Sequence, residues 1–427
     1  MAFDQGLSGL NAASTQLDVI GNNIANSSTV GFKSSNVDFS DVYANSLGGG
    51  GTAPVGIGVS ASDIAQQFTQ GTITPDSNPL DIAINGNGFF QLSNNGSLTY
   101  SRNGQFQLNP NGDIVTANGA NLQGYNANAN GVLNTGVTGN LVISAANIPP
   151  AATTTLGLGV NLDSASPVLP AASFSPTVPS SYSWSTSVTA YDSLGNPHAL
   201  QTYYVNQGVL AGSPDDQWAV YATVDGNLTP APTAPSTTPV PIANLAFTTS
   251  GALDPAVTTP ASTPPFTVPL SIPLTNGATS PQAVTISYTG TTQYSALSAV
   301  NSQTNDGYSS GQLTQFSAGA NGIITGTYSN GKTQTLGQVV LDNFVNPSGL
   351  QAAGNNAWFA SSTSGDPLLG TPGSGSLGTL QSSAVENSTT DLTTELVNMI
   401  TAQQNYQANA QTIKTEDQIT QTLVTLR

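Results

Sequence analysis

Apolar residues recur every seven positions at the two ends of this chain and not in between. Phe3, Leu10, Leu17 and Ile24 mark the first stretch, and Leu392, Met399, Tyr406 and Ile413 mark the last. A sustained seven-residue apolar repeat belongs to a helix that packs against another helix. The long interior reads as strands and turns, so the terminal helices are expected to pair with each other. The expected fold class is mainly β with α-helical termini. Its domains are nested and discontinuous: the paired helices form a coiled-coil-like inner domain, and two β domains lie outside it.

The first seam follows positions 3, 7, 10, 14, 17, 21 and 24. Its apolar members are Phe3, Leu7, Leu10, Leu17 and Ile24, with Ala13 and Ile20 beside them and Ser14 and Gly21 as interruptions. Gly6 and Gly9 lower helix propensity further. So short a glycine-bearing helix is marginal alone; it needs either the protein's own core or a partner. The last segment is stronger, because neither Gly nor Pro follows Gly378 and nothing breaks a helix from about Ser388 to Arg427. Ser388-Thr389-Thr390-Asp391 offers a cap. One row is Leu392, Met399, Tyr406, Ile413 and Thr420; the other is Leu396, Gln403, Ala410, Asp417 and Val424. Gln403 and Asp417 interrupt the apolar line, as polar residues do where register matters more than stability.

Between the seams the punctuation changes. Asn-Gly pairs at 85–86, 87–88, 95–96, 103–104, 111–112 and 118–119 predict the tight turns of an antiparallel meander. The same grammar returns at Asn321-Gly322 and Asn330-Gly331. Twenty of the 27 prolines fall between Pro149 and Pro281. Two strand runs stand out there, Trp184 to Tyr191 and Gln217 to Val224, among Pro/Thr/Ala-rich connections at 230–241 and 255–273. The aromatics Trp184, Tyr191, Tyr203, Tyr204, Trp218 and Tyr221 are expected in a core rather than on a binding platform. The expected layout is a helix over 1–30, an extended linker over 31–78, an inner β domain from 79–148 with 306–382, an outer Pro-rich β domain over 149–305, and a helix over 383–427.

Chemistry is scarce. Only 6% of the 427 residues are charged, with five Lys plus Arg and a net charge of −17. That balance argues against nucleic acid and anionic membranes as partners. There is no cysteine and one histidine, His198, so neither thiol chemistry nor a transition-metal site is expected, and no cofactor. His198 lies in a Gly/Asn/Pro turn, a poor setting for a Ser-His-Asp triad. The three glutamates, Glu386, Glu395 and Glu416, are expected on a solvated helix face. Gly48 to Gly51 lacks the Lys-Ser/Thr of a phosphate loop and reads as a hinge. The opening MAFDQGLSGL has no basic n-region, continuous apolar run or small-residue cleavage site. No apolar run is long enough for membrane insertion. The low-charge composition favours export without a cleaved signal peptide over a cytosolic location.

Ser8-Gly9-Leu10-Asn11-Ala12, then Ile20-Gly21-Asn22-Asn23-Ile24-Ala25-Asn26 and Thr29-Val30-Gly31-Phe32-Lys33, resemble the N-terminal signature of bacterial flagellar axial proteins, the rod and hook group. Glu395 to Ile400 and Asn405 to Thr415 resemble their C-terminal signature. Leu80 to Ile84 and Tyr100 to Phe106 are similar to the β domain that the group shares. Roughly 150 inserted residues, Thr189 to His198 and Leu336 to Phe344 look like the hook proteins within it. Rod proteins lack so large an insertion; a distal rod or hook–filament junction protein, or a secreted adhesin or carbohydrate-binding β protein, are the alternatives.

The resemblance implies a non-enzymatic subunit of a curved helical tube, the joint between basal-body rod and filament, located outside the cell in the flagellar hook. It implies as partners further copies of itself, the rod, hook cap and junction proteins, and the flagellar type III export apparatus. It also implies that both helices line the tube and are unfolded before assembly. The assembly residues expected are Phe3, Leu7, Leu10, Leu17, Ile24, Asn22, Asn23, Asn26, Gly31, Phe32, Leu392, Leu396, Met399, Tyr406, Ile413 and Val424.

Overall fold

The computed structural model describes residues 2–42, 56–144, 146–209, 214–231, 238–260, 264 and 266–425. The tetraglycine stretch and parts of the two Pro/Thr/Ala-rich connections lie outside the described residues. Two long helices, α1 (Ala2–Ala25) and α2 (Leu392–Thr425), bracket a chain of strands and turns. Asp391 starts α2: its Oδ1 accepts the Thr394 N–H at 2.7 Å and its carbonyl accepts that of Glu395 at 3.0 Å. A carboxylate there also meets the positive end of the helix dipole. The mainly β fold with paired terminal helices is as the sequence predicts.

Contacts divide the chain into two compact units. One comprises residues 1–145, 314–327 and 333–427; the other comprises 146–313 and 328–332. In the first unit the stretch expected as a linker holds an antiparallel hairpin, β1 (Ser35–Val42) and β2 (Gly58–Gln66), with a bulge at Asp38/Phe39. A lone two-stranded hairpin is barely stable in water, and α1 covers it. Gln5 Nε2 donates to the Gly56 carbonyl at 2.5 Å, and Ser8 Oγ accepts the Val59 N–H at 3.3 Å.

Outgoing and returning strands pair throughout the rest of this unit. Ile82–Asn85 pairs with Thr379–Ser382, Ile73–Pro75 with Ala384–Glu386, and Asn121–Asn126 with Thr333–Val339. Phe89, Tyr100, Phe344, Leu350 and Trp358 form an aromatic core joined by Phe68. Its rings meet edge to face, as with Tyr100 and Phe344 at 4.8 Å. The Asn-Gly turns at 95–96, 111–112 and 118–119 carry the positive φ that the sequence predicts. Asn103-Gly104 does not: a Cβ on Gly104 would lie 1.7 Å from the Ile82 carbonyl oxygen, so this glycine serves close approach rather than a turn.

The second unit has two five-stranded sheets around one core. Strand Thr155–Asp163 is central to the first, parallel to Gln282–Ser287 and antiparallel to Ala299–Asn305. Strands Trp184–Tyr191, Pro197–Val209 and Asp216–Val224 form the body of the second. Tyr203, Tyr204, Trp218 and Tyr221 are buried, as a core role requires.

Strand Leu341–Asn343 runs between Phe89–Asn94 and Leu368–Gly370. It buries Asp342 completely, and neither carboxylate oxygen has a hydrogen-bond partner. Burial pushes this carboxyl up to about 7. The unfolded chain releases that proton near pH 4 while the folded chain keeps it to about 7, so stability falls across that window and levels off above it. Asp342→Asn removes the ionisation at nearly constant shape. At pH 8 the variant is expected to be more stable than the parent by about 2–4 kcal/mol, with the gain shrinking toward zero near pH 4. Denaturant melts at both pH values check this; an equal difference at both would refute it.

Candidate functional site

The helix pair is antiparallel. A Cβ on Gly6 would meet Ile413 Cγ1 at 3.0 Å, one on Gly9 would meet Asn409 Oδ1 at 2.7 Å, and Asn23 Nδ2 donates to Glu395 Oε1 at 3.0 Å. The face of α1 toward α2 therefore runs through Gly6, Gly9 and Asn23, with Ala12 and Ala13 buried near Ala408 and Asn409. Small residues let the two backbones approach closely. The facing row of α2 runs through Glu395, Asn409 and Ile413, one turn face that also buries Ala402.

This geometry meets the predicted seams only in part. Ile413 of the α2 seam lies against Gly6, while the α1 contacts at Gly6, Gly9 and Asn23 form a row displaced by one residue from Phe3, Leu7, Leu10, Leu17 and Ile24. Phe3 and Leu7 are 49% and 43% exposed; Leu10, Leu17 and Ile24 are half-buried; and Gly21 on the same face has nothing within 4 Å of its added Cβ. On α2, Met399 and Ile413 are half-buried and Tyr406 is exposed at the margin, whereas Leu392, Leu396 and Val424 face solvent. Val397, Ile400, Ile419 and Leu423 join them as exposed apolar residues. Except for buried Ile20, the large apolar side chains of both helices are half-buried or exposed, whereas Gly6, Ala12, Ala13 and Ala402 are packed. The small-residue spacing Gly6, Gly9, Ala13 was the available signal for the intramolecular face, and the larger seam masked it.

The motif after the first seam ties the root of α1 down. Asn23 is buried; its Nδ2 also donates to the Ser35 carbonyl and its Oδ1 accepts the Ser35 N–H. Asn26, half-buried, closes the helix by donating to the Asn22 carbonyl and accepting from Thr29; Asn22 itself is exposed. Gly31 is buried at φ +70, and a Cβ there would press into Arg102 and Asn103 backbone at 2.7–2.9 Å, so glycine is needed twice over. Phe32, half-buried, accepts the Thr389 N–H from the root of α2. The expectation of a solvated glutamate fails at Glu386, which is buried among Lys33, Arg102 and the Gly71 N–H. Nothing in its local sequence separates it from the other two glutamates.

The single histidine is held by two carboxylates. His198, at the start of strand Pro197–Val209, lies between Asp225 Oδ2 at 2.6 Å and Asp192 Oδ2 at 3.3 Å. Burial opposes its charged form, but the two carboxylates outweigh it and raise its pKa. Burial likewise works against ionised Asp192, yet donors from Asn196, Asn276 and His198 hold it well below the usual carboxylate range. The cluster fixes turns. Among the described residues no His/Cys/Asp/Glu group could hold a metal ion, and no helix is long and apolar enough to cross a membrane.

Incompletely covered apolar helix faces at both chain ends and a strand-built body are the features of a structural subunit. Family models match in chain order: a flagella basal body rod protein model over residues 3–33, the flagellar hook protein FlgE/F/G D1 domain over 83–161, the flagellar basal body protein FlaE D2 domain over 161–308, and the flagellar basal body rod FlgEFG protein C-terminal model over 381–426. The chain is 43% identical to the flagellar hook protein FlgE of Salmonella typhimurium, with 100% of both chains covered. It is 42% identical to that of Escherichia coli, again over 100% of both, and 31% identical to that of Borreliella burgdorferi over 99% of this chain and 98% of the other. The Helicobacter pylori flagellar hook protein FlgE2 shares the fold at a TM-score of 0.51 and 14% identity, covering 74% of this chain and 100% of that one. The chain belongs to the flagellar hook protein FlgE family, structural proteins of the bacterial flagellum.

The two faces of α1 give opposite expectations. Gly21→Ala meets open space and removes a helix-interior glycine, so it stabilises the helix by about 1 kcal/mol. Gly6→Leu drives a side chain into Ile413 and separates the pair. Far-UV circular dichroism melts of the soluble protein compare them. Equal effects of the two substitutions would show that α1 is not held as described.

Proposed function

We propose that this chain polymerises with copies of itself into the curved helical tube of the hook, which acts as a universal joint between basal-body rod and filament. The observation that carries this reading is the incompletely covered apolar face of α1. Phe3, Leu7, Leu10, Leu17 and Ile24 repeat at heptad spacing, yet Phe3 and Leu7 are exposed and Leu10, Leu17 and Ile24 only half-buried. An apolar stripe of that regularity calls for another helix. Leu392, Leu396, Val397, Ile400, Leu423 and Val424 offer a second open surface on α2. At about 25 cal/mol per Å2, burying such stripes in an array adds stabilisation that one chain lacks. The terminal helices are thereby assembly elements, and Asn22, Asn23, Asn26, Gly31 and Phe32 set where α1 leaves the β body.

The reading extends to partners and location. The subunit meets the rod at one end of the tube, the junction proteins at the other and the hook cap during growth, after export by the flagellar type III apparatus without a cleaved signal peptide. It catalyses no reaction, and its weakly charged surface has few ion pairs to break when neighbouring subunits slide during bending.

Electron microscopy of the purified protein under salt-induced polymerisation tests this. The parent is expected to form curved tubes. Leu7→Asp and Leu396→Asp, at exposed positions, are expected to leave the monomer's melting nearly unchanged while raising the critical concentration about tenfold or more. Persistent monomers of the parent, or unaltered assembly of both variants, would overturn the proposal.

A further inference from the structure

A chain with five cationic side chains buries two of them in one place. Lys33 Nζ lies 2.7 Å from Glu386 Oε1 and donates to the Thr69 carbonyl at 2.6 Å. Arg102 Nε lies 3.0 Å from Glu386 Oε2, and its Nη1 donates to the Gly86 and Gly88 carbonyls at 2.8 and 2.6 Å. The Gly71 N–H donates to the same Oε1 at 2.8 Å, and the Glu386 carbonyl accepts the Gly31 N–H at 2.7 Å. One carboxylate thus gathers groups from three other stretches of chain.

The place is informative. Lys33 lies eight residues past the end of α1, Glu386 six residues before the start of α2, and Arg102 belongs to the β body. Buried ion pairs are poor stabilisers, because losing water costs each ion about what the pairing returns, and an apolar cluster of equal volume does as well or better. What they supply is direction. An apolar contact tolerates sliding, whereas a guanidinium fork and an ammonium aimed at one carboxylate allow a single arrangement. Burial pushes the Lys33 ammonium below its ordinary pKa, against the pull of Glu386, so the charge on this lysine depends on that carboxylate.

We propose that Glu386 is a clasp, a positioning residue through which Lys33 and Arg102 fix the roots of both terminal helices to one point of the β body. Lys33 and Glu386 are 353 residues apart, so the root of α1 takes its position only when the returning end of the chain arrives. Both helix roots therefore depend on the one carboxylate, and the root of α1 depends on Lys33 as well. The clasp is shared, not a simple pair: removing Lys33 leaves Arg102 and Glu386 matched, and removing the carboxylate leaves two buried cations.

Hydrogen exchange read by mass spectrometry on the full-length soluble protein tests the clasp independently of polymerisation. In Glu386→Gln, amides of residues 27–36 and 384–391 are expected to exchange about a hundredfold faster or more, the local opening that follows loss of one member of a buried ion pair, while strand 197–209 keeps its protection. In Lys33→Met the rise is confined to 27–36. Exchanging the two residues, Lys33→Glu with Glu386→Lys, sets a lysine beside Arg102 and restores nothing. Unchanged exchange at both roots in Glu386→Gln would overturn the proposal, and so would recovery in the exchanged variant, which would show a simple pair. Should Glu386→Gln lose protection throughout, Lys33→Met decides: a rise limited to 27–36 supports the clasp, and a rise that is absent or spread over the body overturns it.

Discussion

Pairing between the outgoing and returning halves of the chain is the constraint on which the described architecture of the first unit depends. Helix α1 lies against α2, Ile73–Pro75 against Ala384–Glu386, Ile82–Asn85 against Thr379–Ser382, and Asn121–Asn126 against Thr333–Val339. Each contact joins residues more than two hundred positions apart. Closing such loops costs only slowly more as they lengthen, so the cost is borne at the first closure and shared by the later ones. The second unit, 146–313 with 328–332, interrupts the sequence of the first as an insertion.

Electrostatics follows the same economy. A surface made of Ser, Thr, Asn, Gln and Gly carries few charges, and several of those present fix the direction of neighbouring groups. Lys33, Arg102 and Glu386 lie at the helix roots. Asp391 starts α2, and Asp192 and Asp225 hold His198 between two turns. Asp342 is the exception: it is buried in a strand with no donor and stays in place because it is protonated over part of the accessible pH range.

Much of this was legible in the sequence. The missing glycines and prolines after residue 378 gave α2 to within a few residues. The Asn-Gly pairs gave the meander turns at 95–96, 111–112 and 118–119 but not at 85–88, which joins two strands that do not pair, nor at Gly104, where carbonyl proximity rather than φ selects glycine. Strand Trp184–Tyr191 matched the predicted run at both ends. The buried glutamate was not legible, because its partners lie 353 and 284 residues away and local context reports only what is near. The hairpin within 31–66 was missed because its strands are exposed or half-buried at nearly every position, Val37 being buried, which leaves little apolar alternation to read.

The helix seams show why periodicity needs a second question. A helix has room for about three faces. On α1 one lies on the hairpin through Gln5 and Ser8 and one lies on α2 through Gly6 and Gly9; small and polar side chains predominate there, with Ile20 also buried. The third carries Phe3, Leu7, Leu10, Leu17 and Ile24, the strongest periodic signal in the chain. Close packing inside one subunit selects glycine and alanine, whose pattern is weak on any hydropathy scale. Contact between subunits has to recover its stabilisation from larger side chains, because association also costs freedom of motion. A seam can therefore be loudest where the single chain leaves it unused, and the proposed polymer supplies the neighbour that the heptads of α1 require.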